Sequence, residues 1–147
     1  MRFTSTTTIE APVDVVWRLT ADIEHWPEVT PTVTRVVRLD DGPLRVGSRA
    51  RLKQPRQPEA VWTVTELDER RTFRWQTTRM GLTMVGSHEL AEAGDGCRNT
   101  LTLDLVGLGA GLVGRLVGRW IASSIETENA SFRNRALQLR WPTGHFR

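Results

Sequence analysis

The sequence predicts an α+β fold: one antiparallel sheet of seven strands, two short helices after the first strand, and a long helix at the C-terminal end. Three observations carry this. Strand-like alternation recurs seven times. The turn signals between those runs, such as Asp40-Asp41-Gly42-Pro43 and Gly94-Asp95-Gly96, are too tight for the crossovers that parallel neighbours need. Finally, helical periodicity holds over a long stretch ending at Leu139. A chain of 147 residues fits a single domain, 1–147, that buries roughly two-thirds of its unfolded surface, leaving room for a core and a cavity.

Taken in order, Phe3 to Ile9 is threonine-rich and alternating, which favours an edge-like strand. Pro12 opens a helix that places Val13, Val16, Trp17 and Thr20 on one face. Asp22 is suited to cap a second short helix ending near Trp26-Pro27. Val33 to Leu39 and Gly47 to Gln54 read as strands. Ala60 to Leu67 and Thr72 to Thr78 make a hairpin around Asp68 to Arg71, and Leu82 to Ala91 with Arg98 to Val106 make the last one.

Alternation assigns faces. Phe73, Trp75 and Thr77 point inward, as do Leu82, Met84, Gly86, His88 and Leu90; in the last strand Leu101, Leu103 and Leu105 share the inner face. His88 is therefore expected on the buried side. The phases of 33–39 and 60–67 stay open, so Arg35 and Trp62 are not placed.

On the long helix, Leu112, Val113, Leu116, Val117, Trp120, Ser124, Thr127, Ser131, Asn134 and Gln138 fall on one face at about 100° per residue. That face is apolar in its first half and small or polar in its second. Leu112 to Trp120 are expected to anchor the helix to the sheet, and Ser124, Thr127 and Ser131 to border a cavity. Before the helix, Gly107, Gly109, Gly111 and Gly114 include a literal G-x-G-x-x-G. A dinucleotide site needs a returning parallel strand with an acidic residue at its end. Too little chain follows the helix for that strand, and Glu126 and Glu128 lie inside the helix. These glycines are better explained as a hinge and as a close approach of helix to sheet.

Composition narrows the function classes. There are 20 basic against 17 acidic residues, and Lys53 is the single lysine, so the basic character reflects arginine usage more than charge excess. The densest group, Arg49, Arg51, Lys53 and Arg56, carries no nucleic-acid motif, and no nucleic-acid partner is expected. Arg115 and Arg119 interrupt the apolar run, so no integral membrane segment is expected either. The single Cys97 forms no intramolecular disulfide and fits a reducing, cytoplasmic setting; no secretory signal is seen at Met1 to Glu10. His25 and His145 lie at no metal-ligand spacing, so no metal and no cofactor are expected.

Several short motifs in sequence order resemble the START-like helix-grip (SRPBCC) superfamily, and within it the polyketide cyclase/dehydrase and lipid-transport group. They are IEAPVDVVW from Ile9 to Trp17, DIEHWP from Asp22 to Pro27 with Pro31, VGS at Val46 to Ser48, and WTVTEL from Trp62 to Leu67 followed by RTFRW ending at Trp75. The resemblance covers nearly the whole chain. It implies a curved sheet wrapped around the C-terminal helix with a hydrophobic ligand cavity between them, and it fixes no reaction.

Three functions follow as expectations. The first is binding of a small hydrophobic or aromatic molecule, lipid- or polyketide-like, by Phe73, Trp75, Met84, His88, Leu101, Leu103, Trp120, Ser124, Thr127 and Ser131. The alternative is a cyclase or aromatase in which His88 acts as catalytic general base, with no tyrosine anywhere to stabilise an oxyanion. The third is an interaction module, with Trp141 and Phe146 in a basic tail as the docking feature. A homodimer stays open.

Overall fold

The computed structural model describes residues 1–140. Seven strands form one sheet in the order β1-β7-β6-β5-β4-β3-β2, and every neighbouring pair is antiparallel. They are β1 (Arg2–Ile9), β2 (Arg35–Arg38), β3 (Arg49–Lys53), β4 (Ala60–Asp68), β5 (Thr72–Arg79), β6 (Leu82–Ala93) and β7 (Gly96–Gly107). The threonine-rich β1 is an edge strand, and it pairs with β7 from the opposite end of the chain. A register shift between Val64 and Glu66 marks a bulge in β4. Bulges bend a strand and increase its twist, so this one helps the sheet curve.

α1 (Val13–Ala21) starts directly after Pro12 and buries Val15, Val16, Trp17 and Thr20. A 3-10 turn (Ile23–His25) leads into α2 (Trp26–Val29). The sequence pattern ends this helix at Trp26-Pro27. Instead Pro27 sits in the first turn of α2, where its missing N–H costs nothing. Asp22 caps no backbone N–H with its side chain; its carboxylate meets His25 Nδ1 at 2.8 Å.

α3 (Ala110–Leu139) runs along the concave side of the sheet against β1 and β7. Two glycines make the β7–α3 corner. Gly107 has φ +111, and a Cβ there would lie 2.3 Å from Gly81 O; Gly109 has φ +81 and begins the helix in the left-handed region. Among the described residues no parallel strand stands beside them, and they form the corner between β7 and α3.

The buried face of α3 differs from the expected one. Ala110, Gly114, Ile121, Asn129, Phe132 and Ala136 are buried, whereas Leu112 is 63% and Leu116 74% exposed. The sheet-facing stripe lies roughly a third of a turn from the face assigned by hydropathy. Glycine explains the difference: a Cβ on Gly118 would press on the Phe3 ring at 3.3 Å, and one on Gly114 would collide with the Met1 side chain. Small residues let the helix backbone approach β1, and the larger apolar side chains are turned away from it.

Farther along, Asn129 takes the place of an apolar anchor. Its amide donates to Ser5 O at 3.0 Å and to Asn99 O at 3.2 Å, while its Oδ1 accepts from Asn99 Nδ2 at 3.0 Å. This buried bridge ties α3 to β1 and β7. Phe132 and Ala136, both 0% exposed, complete the anchor in the main core. Trp141, His145 and Phe146 lie outside the described residues.

Candidate functional site

A cavity of about 750 Å³ opens between the inner face of the sheet and α3. It falls within the range of roughly 300–1,000 Å³ usual for small-molecule sites. Period-two alternation sends Trp75 of β5, Met84 of β6, and Leu101 and Leu103 of β7 into its wall. Trp62 of β4, whose direction the sequence leaves open, joins them and lies 5.3 Å from Trp75, ring centre to ring centre. Gly86 makes space for this pair, since a Cβ there would stand 3.3 Å from the Trp75 indole nitrogen.

From α3, Leu116, Val117, Trp120, Ser124 and Thr127 line the opposite wall. Leu116 and Trp120 are partly in solvent, which places them at the mouth. Two expected ligand residues stand outside the wall. Phe73 is fully buried behind it, and Ser131 donates to Thr127 O at 2.7 Å, a local helical bond made away from the cavity.

The deep end is built around Trp26. Its ring stands 5.8 Å from Phe73, 5.2 Å from Trp75, 5.1 Å from His88 and 5.8 Å from Phe132, and its indole N–H donates to Leu19 O at 3.0 Å. These rings enclose His88, which is 4% exposed and has no partner on Nδ1. Desolvation disfavours the imidazolium and pushes its pKa down to about 3, so the ring is neutral at ordinary pH.

Opposite His88 stands a residue that the sequence pattern sets only inside the long helix, with no place at the cavity. Glu128 Oε2 lies 3.5 Å from His88 Nε2, and Glu128 Oε1 accepts a hydrogen bond from Thr32 Oγ1 at 2.8 Å. Thr30 Oγ1 lies 2.9 Å from Thr32 Oγ1 and continues the chain of hydroxyls. Burial pushes the Glu128 carboxyl up to about 7, and the Thr32 bond only partly offsets it. Glu128, His88 and Thr32 all line the cavity. The site is therefore an apolar chamber with one polar pole, supplied by β6, α3 and the segment after α2.

Two members of the basic group noted in the sequence have partners of their own. Arg49 bonds Asp40, and Lys53 Nζ is taken up by the carbonyls of Gln54 and Gln57. Arg56, with φ +64, belongs to the β3–β4 loop at the cavity. Among the described residues no group of His, Cys, Asp and Glu could hold a metal ion, and no helix is long and apolar enough to cross a membrane. Cys97 is buried beside Ile9 in the core, where desolvation raises its thiol pKa.

A sequence model of one family, described as polyketide cyclase / dehydrase and lipid transport, matches residues 1–136. The chain belongs to that family. Its START-like helix-grip fold is shared with solved structures at low identity. A Thermus thermophilus protein is 20% identical, with TM-score 0.76 over 96% of this chain and 100% of that one. A START superfamily protein from Mycobacterium smegmatis is 16% identical, with TM-score 0.74 over 94% of this chain and 98% of that one. The Zhui aromatase/cyclase from a Streptomyces species is 21% identical, with TM-score 0.69 over 95% of this chain and 93% of that one. A search of curated proteins finds no match. At these identities the likeness concerns the fold, and the chemistry has to be argued from the family member's own residues.

Proposed function

We propose that this family member binds a small hydrophobic or aromatic molecule, lipid- or polyketide-like, between the sheet and α3. The observation that carries the reading is the chamber of about 750 Å³ itself, walled by Trp62, Trp75, Met84, Leu103 and Trp120. A solid core would be packed without such a space, because protein interiors leave few voids larger than a water molecule. The tilted indoles of Trp62 and Trp75 offer a flat ring apolar faces and edges, and Met84 adapts to irregular shapes. The exposed Leu116 and Trp120 continue the apolar wall to the outside, as an entrance for such a ligand would require.

Titration calorimetry with naphthalene tests this directly, supported by native mass spectrometry for a co-purified molecule. Met84→Trp narrows the chamber beside the Trp62–Trp75 pair and should weaken naphthalene at least tenfold while leaving the fold intact. Saturable binding that Met84→Trp leaves unchanged would refute the proposed location.

A second reading, an enzyme of the cyclase or aromatase type, is favoured by the buried carboxyl beside the imidazole. The acid–base role then moves from His88 to Glu128. An imidazole that stays neutral down to about pH 3 accepts a proton poorly, whereas a carboxyl titrating near 7 suits transfer in either direction. Glu128→Gln should abolish turnover of a cyclisable polyketide if this reading holds.

A further inference from the structure

The polar pole has an uneven hydrogen-bond inventory. Glu128 Oε1 receives Thr32 Oγ1 at 2.8 Å, but Oε2 faces only His88 Nε2 at 3.5 Å, with no other polar contact among the described residues. A hydrogen bond of normal length is ~2.9 Å, so Oε2 is left without a full-strength partner in a largely desolvated place. The Glu128 side chain is 16% exposed, and both it and His88 line the chamber. A ligand atom there would therefore reach the open oxygen.

We propose that Glu128, braced by Thr32 and set beside His88, is the recognition point for a neutral hydroxyl or enol group on the bound hydrophobic molecule. This rests on the chamber being a ligand site, and it adds the class of ligand: an apolar ring system carrying one phenol-like group at its buried end. A hydroxyl both donates and accepts, so it can satisfy Glu128 Oε2 and the neutral imidazole nitrogen together. A carboxylate ligand is disfavoured at this position, since its charge would lose its water on entering an apolar chamber. The guanidinium of Arg56 lies on the β3–β4 loop instead. Protonation of Glu128, favoured by burial, adds a donor without changing this preference for a neutral partner.

The test is a set of calorimetric titrations at pH 6 with naphthalene, 2-naphthol and 2-naphthoate, on the full chain and on Glu128→Leu and Glu128→Gln. The expected result is 2-naphthol binding at least tenfold tighter than naphthalene, and 2-naphthoate no tighter than naphthalene. Glu128→Leu should reduce the naphthol preference to within threefold while retaining naphthalene. Glu128→Gln, which preserves shape and a neutral donor and acceptor, should keep most of it and guards against a folding defect in the leucine variant. Naphthalene binding without a naphthol preference, or a preference that survives Glu128→Leu, overturns the assignment but leaves the chamber reading standing. Tightest binding by 2-naphthoate overturns it by placing the polar end at Arg56. Failure of all three ligands to bind overturns both readings.

Discussion

The two halves of α3 face the same sheet and do opposite work. From Ala110 to Trp120 the helix carries large apolar residues, yet Leu112 and Leu116 stand mostly in solvent and Trp120 is 36% exposed. From Ile121 to Leu139 it is more polar, yet it holds the buried Asn129, Phe132 and Ala136. The first half touches β1 through glycines and turns its bulk toward the mouth of the chamber. The second half is fixed by a hydrogen-bonded bridge and an aromatic plug. Hydropathy alone therefore points the wrong way: side chains that border a ligand space resemble core side chains, and the residues marking the closest packing are those with almost no side chain.

The largest effect expected from this contrast is on stability. Phe132→Ala should lower the free energy of unfolding by about 3–5 kcal/mol, as large-to-small changes at fully buried aromatics do. Urea denaturation of this variant beside Leu116→Ala measures the contrast, and equal losses in the two would erase it.

A pH effect of similar origin comes next. The folded state retains the Glu128 proton up to about pH 7, whereas the unfolded chain releases it near 4.5. Over that window the folded state binds more protons, so stability falls as pH rises, by up to about 3 kcal/mol. His88 sets the opposite slope: its folded pKa is lowered from 6.5 to about 3, so its contribution is complete above 6.5 and lost as pH falls toward 3. Comparing wild type with Glu128→Gln cancels His88. Their stability difference should move in favour of the glutamine variant between pH 4.5 and 7, and a flat difference would show that Glu128 ionises normally.

Asn129→Ala should cost about 1–3 kcal/mol, because it leaves the buried Asn99 Nδ2 without the partner it has now and removes the bond to the half-buried Ser5 O. Thermal unfolding reads this, and a neutral outcome would mean the bridge is replaceable by water. Leu116→Ala should change stability by no more than about 0.5 kcal/mol, the usual range for surface substitutions. Its measurable consequence should be weaker naphthalene binding.

Much of the fold is legible in the sequence because alternation is a strong signal in long strands. His88 is correctly turned inward by its register with Met84, Gly86 and Leu90 in β6. Trp62 is not placed, because the bulge between Val64 and Glu66 breaks the period of two within the strand that carries it. β2 is too short, at four residues, for its phase to show. Glu128 is not assigned to the cavity for a different reason. Its position lies at the border between the sheet-facing stripe and the chamber-facing stripe, and only the close approach at Gly114 and Gly118 fixes where that border falls. Phe73 is drawn into the site by correct alternation, but Trp26 from another element covers it.

The central claim is that the chamber under the first half of α3 receives the ligand. Proton–nitrogen correlation spectra of the protein titrated with 2-naphthol test it most directly, because each tryptophan indole gives its own signal. Saturable shifts are expected for Trp62, Trp75 and Trp120 and for the amides from Val113 to Glu128, with Trp17 on α1 unmoved. Shifts confined to Trp17 and the outer face of the sheet, with the three chamber indoles unchanged, would contradict it.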